Sequence, residues 1–489
     1  MRQRLTSASL GPGSVGAKAP SATERCPPAW FFPVPVRPSR FVAGDPAFAQ
    51  FNVEAAQDRI PAFAFAKAAG QEVLHYDLQT QLLGNARGRH GSGRSGVYRG
   101  RYLKGVGRTP AAANWDDASD IYHASGHLSV GSAIRERLIT AFLEARGLGE
   151  TIVPCEAVLL ARLTPAEARA VRREESSSRA HFVASDADLM ALTVKPADFA
   201  RMSNFVFALD HFTGYPQHLG ELFLELERQL HPLGERAGLE GSPERIGRAL
   251  ERAFRRGLAN FQAYARAGLF WSYLNSNFSL DGRFLDLETP LYFGAPFVGL
   301  AVSEPGGVLR RDLLGFEEFG FIQHWRLFLK WLKSRLRWLA EPEVDGLQEA
   351  RPFLRELSRE LAARFPRGHL LFNDEELTAR ATANLAGPLG LGRRDRASLH
   401  ELARHEFGWR LYGSERPVPD HAWRPLVAGS APAPMTPFPR RFEAAGFIAP
   451  RLSKDGQAFA AALSQLGSLR DSHELLRALA DPARFVPGA

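Results

Sequence analysis

Asn277 and Asp286 carry the kind of oxygen donor that a hard divalent cation takes, and they bracket a short stretch, Asn277-Phe-Ser-Leu-Asp-Gly-Arg-Phe-Leu-Asp286. Asp281-Gly282 lies between two short apolar runs and predicts a two-residue type I′ β-hairpin. Counting outward from that turn pairs Leu280 with Arg283, Ser279 with Phe284, Phe278 with Leu285 and Asn277 with Asp286. Directly opposed residues hold their Cβ atoms roughly 4.5–5.5 Å apart. An amide oxygen and a carboxylate would then converge on one point, as Mg²⁺ or Mn²⁺ requires.

A second group of residues lies upstream. Lys104 ends a strand-like run in Tyr102-Leu-Lys-Gly-Val-Gly-Arg-Thr-Pro110. Ser129 to Arg146 reads as a helix with Ile134, Leu138, Phe142 and Ala145 on one face and Gly147 as its stop, and Glu136 sits in its first half. Taken singly, these are a lysine at a strand end and a solvated helix glutamate. Taken in order, Lys104, Glu136, Asn277 and Asp286 follow the layout of a protein-kinase site: a strand Lys on the phosphates, a helix Glu holding that Lys, then an Asn and an Asp on the metal.

Four stretches carry a more specific likeness: Leu-Gly-Asn-Ala-Arg (83–87), Leu-Lys-Gly-Val-Gly-Arg-Thr-Pro (103–110), Gly126 with Ser-Ala-Ile-Arg-Glu (132–136), and 268–290 around the hairpin. Over about residues 80–300 the chain resembles the SelO family of protein adenylyltransferases, as a divergent member. The resemblance implies a two-lobed protein-kinase-like fold and transfer of AMP from ATP to Ser, Thr or Tyr hydroxyls of protein substrates. It also implies Mg²⁺ or Mn²⁺ on Asn277 and Asp286, and nucleotide contacts from Gly84, Arg87, Lys104, Gly126, Glu136 and Asp286. Two arginines of the family grip the γ-phosphate. Arg201 matches the second with one residue inserted, and the first falls on Thr193 or Lys195, not on an arginine.

The chain departs from the family pattern at several of these positions. Ser276 stands where the family places the Asp that serves as general base, and serine cannot take a proton at neutral pH without a base of its own. Ser125 precedes Gly126 where the family has another Asp, and Ala86 replaces a glycine of its Gly-Asp-Gly-Arg. Glu288 adds a carboxylate where the family has Gly, either compensating in part for the missing base or altering the loop. Two functions stay open: a weak adenylyltransferase, or a catalytically silent nucleotide-binding pseudokinase that works as a binding module.

Composition narrows the classes. A 489-residue chain with 45% hydrophobic and 23% charged residues describes a soluble globular protein of one large two-lobed domain or several smaller ones. The net charge of +8 suits an anionic ligand such as ATP, but high Arg content explains it equally well. No zinc-finger spacing, RNP-like motif or dense basic tract argues for nucleic acid. Cys26 and Cys155 are the only cysteines, so the expectation is a reducing, cytoplasmic setting; the C-terminal third has no cysteine for the redox element of some family members. No run approaches the ~18 apolar residues of a membrane helix.

The elements that must position these residues follow from patterning. Residues 1–28, rich in Ser, Gly, Pro and Ala, read as a disordered tail. Residues 29–205 read as an α+β N-lobe that binds the nucleotide, and 206–489 as a helical C-lobe with its catalytic and metal loop at 268–290. Leu219, Phe223, Leu226 and Leu230 form one helical stripe. Ser242-Pro243 caps a long helix that Gly268 ends. Further helices are expected near 318–340, 346–364, 397–411, 454–466 and 471–481, with linkers at 384–392 and 415–439. Gly91-Ser-Gly-Arg-Ser-Gly96 reads either as a phosphate-covering hairpin or as a flexible Arg-rich loop. His400 and His405 are five apart, about 140° round a helix, which excludes a two-histidine zinc site on one face. The basic, Trp-bearing 320–338 helix reads as a core helix with a buried aromatic face and a solvated basic face, in preference to a surface for a membrane or an acidic partner.

Overall fold

The computed structural model describes residues 31–35, 41–43, 73–77, 95–98, 101–106, 128–162, 189–206, 242–271, 277–280, 282–288, 290–292, 299–301, 312–314, 316–344, 347–366, 373–388, 390–412, 454–469 and 471–486. Gly84, Arg87, Gly126 and Ser276 lie outside them, as do the 1–28 tail, the 219–230 stripe and the 415–439 linker.

Short β-branched and aromatic runs in the N-terminal part build one antiparallel sheet. Its strands are β1 (Phe31–Pro35), β2 (Phe41–Ala43), β3 (Val73–Asp77), β4 (Ser95–Tyr98), β5 (Arg101–Lys104), β6 (Ala157–Arg162) and β7 (Leu189–Pro196). They lie in the order β1-β3-β4-β5-β7-β6-β2. Gly91–Gly96 therefore runs into a strand, since Ser95 and Gly96 open β4 and pair with β5. Strand β7 is central and buried on both faces: Leu192 and Val194 point one way, Ala191, Thr193 and Lys195 the other. Helix α1 (Val130–Ala145) packs across β6 and β7. Its first turn is capped by Ser129, whose hydroxyl accepts from the Ser132 amide at 3.1 Å.

Past residue 242 the described chain is mostly helical: α2 (Pro243–Arg266), α3 (Glu317–Leu339), α4 (Arg351–Arg364), α5 (Asp374–Ala386), α6 (Arg393–Tyr412), α7 (Lys454–Ser468) and α8 (Ser472–Ala480). Two small ribbons interrupt them, β8 (Leu269–Trp271) with β9 (Pro290–Tyr292) and β10 (Gly299–Ala301) with β11 (Asp312–Leu314). Ser242 caps α2 with Pro243 at its start, and Gly268 leaves it at φ 76°. Helix α5 was not expected. Its capping box is complete: Asn373 Oδ1 accepts from the Glu376 amide and Glu376 Oε2 from the Asn373 amide, both at 2.8 Å. The expected 384–392 linker is the end of α5 and a tight turn into α6.

An aromatic core joins α2 and α3. Phe254 stacks on Phe321 with centroids 5.7 Å apart, and fully buried Trp325 touches both Phe254 and Phe328. Of the three tryptophans of α3, Trp325 lies in the core, Trp331 is half-buried and Trp338 is 43% exposed, so the expected buried aromatic face is formed only in part. The chain then turns back: α7 and α8 pack against α1, with Phe459 against Phe142 and Tyr292, and Arg146 pairing with Asp455 at 3.1 Å. Among the described residues no helix is long and apolar enough to cross a membrane.

Candidate functional site

The hairpin is present, but its register differs from the two-residue expectation. Phe278 bridges Phe284, the Ser279 amide donates to Arg283 O at 2.8 Å, and the Leu285 amide donates to Asn277 O at 2.9 Å. Three residues, 280–282, therefore make the connection, and Gly282 supplies the left-handed position at φ 82°. The Gly282 amide donates to Ser279 O at 3.0 Å. A Cβ on Gly282 would also lie 2.8 Å from Gly257 N and 2.9 Å from Ala253 O, so α2 runs against the turn. Asn277 thus opposes Leu285, and the predicted Asn277–Asp286 pair is corrected by one residue.

Asp286 still reaches the site, because it leaves the ladder with φ 52°, the one left-handed non-glycine among the described residues. For an L-residue that conformation costs roughly 1–2 kcal/mol, and Asp and Asn tolerate it best. Arg201 then collects both side chains. One guanidinium nitrogen donates to Asn277 Oδ1 at 3.3 Å and the other to Asp286 Oδ2 at 3.1 Å. The same backbone stretch is sewn to the hairpin: Arg201 bridges Ser279, and the Leu280 amide donates to Ala200 O at 2.7 Å.

On the sheet side, Lys104 is the last residue of β5 and buried. Gly105 follows at φ 101°, where a Cβ would stand 2.5 Å from Ala191 O on β7, so only glycine lets the chain turn away at once. The Lys104 ammonium donates to Asp286 Oδ1 at 2.9 Å and to a Glu288 carboxylate oxygen. Lys195, wholly buried on β7, pairs with Glu136 Oε1 at 2.5 Å and lies 3.7 Å from Asp286 Oδ1. The expected Lys104–Glu136 pair is therefore replaced: Lys195 holds the helix glutamate, and Lys104 holds the two loop carboxylates. The reason is register. Lys104 pairs with Thr193, which leaves Lys195, two residues further along β7 and on the same face, directly under α1.

Helix α1 also fixes the loop. Arg135 Nε donates to Glu288 O at 2.8 Å and another guanidinium nitrogen donates to Pro290 O. The Leu287 amide donates to Glu136 Oε1 at 3.3 Å. Arg135 is 4% exposed. It belongs to the Ser-Ala-Ile-Arg-Glu stretch, and its spacing of three and seven residues before Leu138 and Phe142 puts it on the buried face of the helix.

Three carboxylates, Glu136, Asp286 and Glu288, thus offer oxygens within 4.8 Å of one another, faced by the cations Lys104, Lys195 and Arg201. Burial alone would raise the Asp286 carboxyl, but Arg201, Lys104 and Lys195 together hold it well below the ordinary 3.8. Burial likewise works against the charge of Glu136, and Lys195 and Lys104 outweigh it, so Glu136 stays below 4.5. Lys195 is disfavoured as a cation by burial and then raised above 10.5 by Glu136, Asp286 and Glu288. Arg135 is drawn down to about 10 by burial, with Glu288 opposing. Asp286, Glu136 and Lys195 are therefore ionised at neutral pH.

The geometry brings together Lys104, Glu136, Lys195, Arg201, Asn277 and Asp286, and adds Glu288 and Arg135. His400 has a structural role: Nε2 lies 2.9 Å from Glu375 and Nδ1 3.3 Å from Thr382. No protein-family model matches the chain. No curated protein matches it.

Proposed function

We propose that the protein is an ATP- and Mg²⁺-dependent protein adenylyltransferase of the SelO type, with a two-lobed kinase-like architecture. The observation that carries this reading is the meeting of Lys104 with Asp286 at 2.9 Å while Arg201 bridges Asp286 and Asn277. A strand lysine, the two metal-type donors and a phosphate-type arginine, scattered over 182 residues, come to one place. The donor set suits Mg²⁺ or Mn²⁺: carboxylate and amide oxygens, with no thiolate or imidazole among the described residues of the site.

Asn277 and Asp286 would hold the metal, which supplies charge neutralisation on the phosphates. Lys104 and Arg201 exchange carboxylate partners for phosphate oxygens, a substitution of one anion for another. Lys195 keeps Glu136 in place beneath them. A substrate hydroxyl attacks the α-phosphorus, the bond to the bridging α–β oxygen breaks, pyrophosphate departs with that electron pair, and the hydroxyl proton passes to solvent or a nearby base. Such transfer relies mainly on positioning and electrostatics.

A second reading, nucleotide binding without transfer, is favoured by one observation: Ser276 stands where the family pattern has its base. Losing a general base costs about 10²–10⁴-fold. Incubation with α-³²P-ATP and with γ-³²P-ATP separates the readings. Label moving to protein from the α position alone, and rising in Ser276→Asp, supports adenylyl transfer. No α-label from either protein, with ATP binding and fold intact, leaves the binding-module reading.

A further inference from the structure

Glu288 is the residue of this site that the family likeness does not account for. It is 4% exposed, its carboxylate lies on the Lys104 ammonium, and it stands with Glu136 and Asp286 in a group whose oxygens are all within 4.8 Å. Twice the 2.0–2.4 Å bond length of Mg²⁺, Mn²⁺ or a small Ca²⁺ site gives roughly 4–4.8 Å between opposite ligand oxygens, so this spacing matches one ion's shell.

Two further buried polar atoms on the same elements lack hydrogen-bond partners among the described residues. Glu136 Oε2 is buried and accepts no hydrogen bond from any described residue, although Oε1 of the same carboxylate takes Lys195 and the Leu287 amide. Thr193 Oγ1 is likewise buried without a hydrogen-bond partner among the described residues. Thr193 pairs with Lys104 across β5 and β7 and shares a face with Lys195, so its hydroxyl lies on the side of the sheet from which both ammonium groups reach the carboxylates. A buried carboxylate oxygen and a buried hydroxyl on one wall, each lacking a donor or acceptor, are costly unless a ligand completes them.

Charge sets a condition on that ligand. Three carboxylates already face three cations, Lys104, Lys195 and Arg201. Adding a bare divalent ion would leave two uncompensated positive charges in a buried site. A divalent ion arriving on a polyphosphate does not: the phosphates take Lys104 and Arg201, Asp286 and Glu288 so released take the metal, and Glu136 offers it Oε2 while Oε1 stays on Lys195.

We propose that Glu136, Asp286 and Glu288 form a three-carboxylate site for a divalent cation that is filled only together with a polyphosphate, with Glu288 as a metal ligand particular to this chain. This rests on the nucleotide reading for the identity of the polyphosphate, though not for its chemistry. The test is Mn²⁺ binding to the full chain, followed by electron paramagnetic resonance of free Mn²⁺ and by calorimetry. Three conditions are compared: Mn²⁺ alone, Mn²⁺ with α,β-methylene-ATP, and Mn²⁺ with inorganic tripolyphosphate. Wild type should bind Mn²⁺ at least about tenfold more tightly with a polyphosphate than without. Glu288→Gln should lose about 10–100-fold of that affinity, the range that even indirect ligand partners command, and Glu288→Asp should recover part of it. Thermal melting and circular dichroism on both variants separate ligand loss from unfolding. Equal or tighter Mn²⁺ binding by folded Glu288→Gln overturns the proposal and leaves Glu288 as a counter-ion of Lys104. So does Mn²⁺ binding in none of the three conditions. Binding with tripolyphosphate but with no nucleotide upholds the metal site and removes the nucleotide reading instead.

Discussion

Replacing Asp286 by Asn removes one negative charge while keeping a side chain that tolerates φ 52°. The carboxylate now faces Lys104 at 2.9 Å, Arg201 at 3.1 Å and Lys195 at 3.7 Å. At an effective dielectric of about 20, unit charges at those separations attract by roughly 4.5–5.7 kcal/mol each. Most of this offsets the cost of taking the charges out of water, so the net loss is set by the cations left behind. Removing one partner of a buried ionic group costs about 3–5 kcal/mol. Asp286→Asn should therefore lower the free energy of unfolding by that amount. Asp286→Ala should lose roughly 1–2 kcal/mol more for its left-handed backbone, and Asp286→Gly should recover that extra part. Urea titration followed by fluorescence, with buried Trp325 as one reporter, measures all three. Because the stranded cations await an anion, tripolyphosphate should restore more stability to Asp286→Asn than it adds to wild type. Asp286→Asn within about 1 kcal/mol of wild type, or no ordering among Asn, Ala and Gly, would refute the account of a tightly charged cluster.

Lys195→Met should cost about 3–5 kcal/mol by stranding Glu136, and the double variant with Glu136→Leu should recover most of it, since an apolar pair often replaces a buried ion pair without loss; a double-mutant cycle by urea titration reads the coupling, and an additive result contradicts it. Gly105→Ala should destabilise by several kcal/mol, or fail to accumulate as folded protein, because its Cβ would meet Ala191 O at 2.5 Å with φ at 101°; a melting temperature within about 1 °C of wild type would show that the turn relaxes freely. On pH the sign follows from the shifts. Glu136 and Asp286 are held below 4.5 and 3.8, so their contribution is complete above those values and is lost as pH falls through the lower, folded ones. Lys195 is held above 10.5, so its contribution is complete below that value and is lost as pH rises through the higher, folded one. The cluster's share of wild-type stability should be flat from about pH 5 to 10; in Lys195→Met the stranded Glu136 loses its main counter-charge, so the deficit should shrink as pH falls, and a deficit that grows on acidification would contradict the account.

How much of this was legible in the sequence depends on how local each feature is. Helix ends marked by Ser129, Gly147, Ser242-Pro243 and Gly268 fall where the residue types place them, because a cap is made by neighbours in the chain. Helix α5 was legible too, through Asn373 and Glu376, but its few large apolar residues hid the periodicity. The hairpin was found and its register missed by one. Asp281-Gly282 is compatible with two loop lengths, and the choice is made by packing of Gly282 on α2 and by Asn260, whose amide donates to Gly282 O at 2.7 Å. The convergence of Lys104, Glu136, Asn277 and Asp286 was readable as an order of residue types. Their partners were not: that Lys195 and not Lys104 meets Glu136 follows from the β5–β7 register, which depends on strands far apart in sequence.

The most direct test of the central claim is calorimetric titration of the full chain with ATP in the presence of Mg²⁺, repeated with Mn²⁺ and with GTP. The account predicts saturable binding at one site that needs the divalent ion and is lost or strongly weakened in Asp286→Ala, while Ser276→Ala binds nearly as wild type. Absence of binding by any adenine or guanine nucleotide, with either metal and with the protein folded, would contradict both the adenylyltransferase and the nucleotide-binding readings.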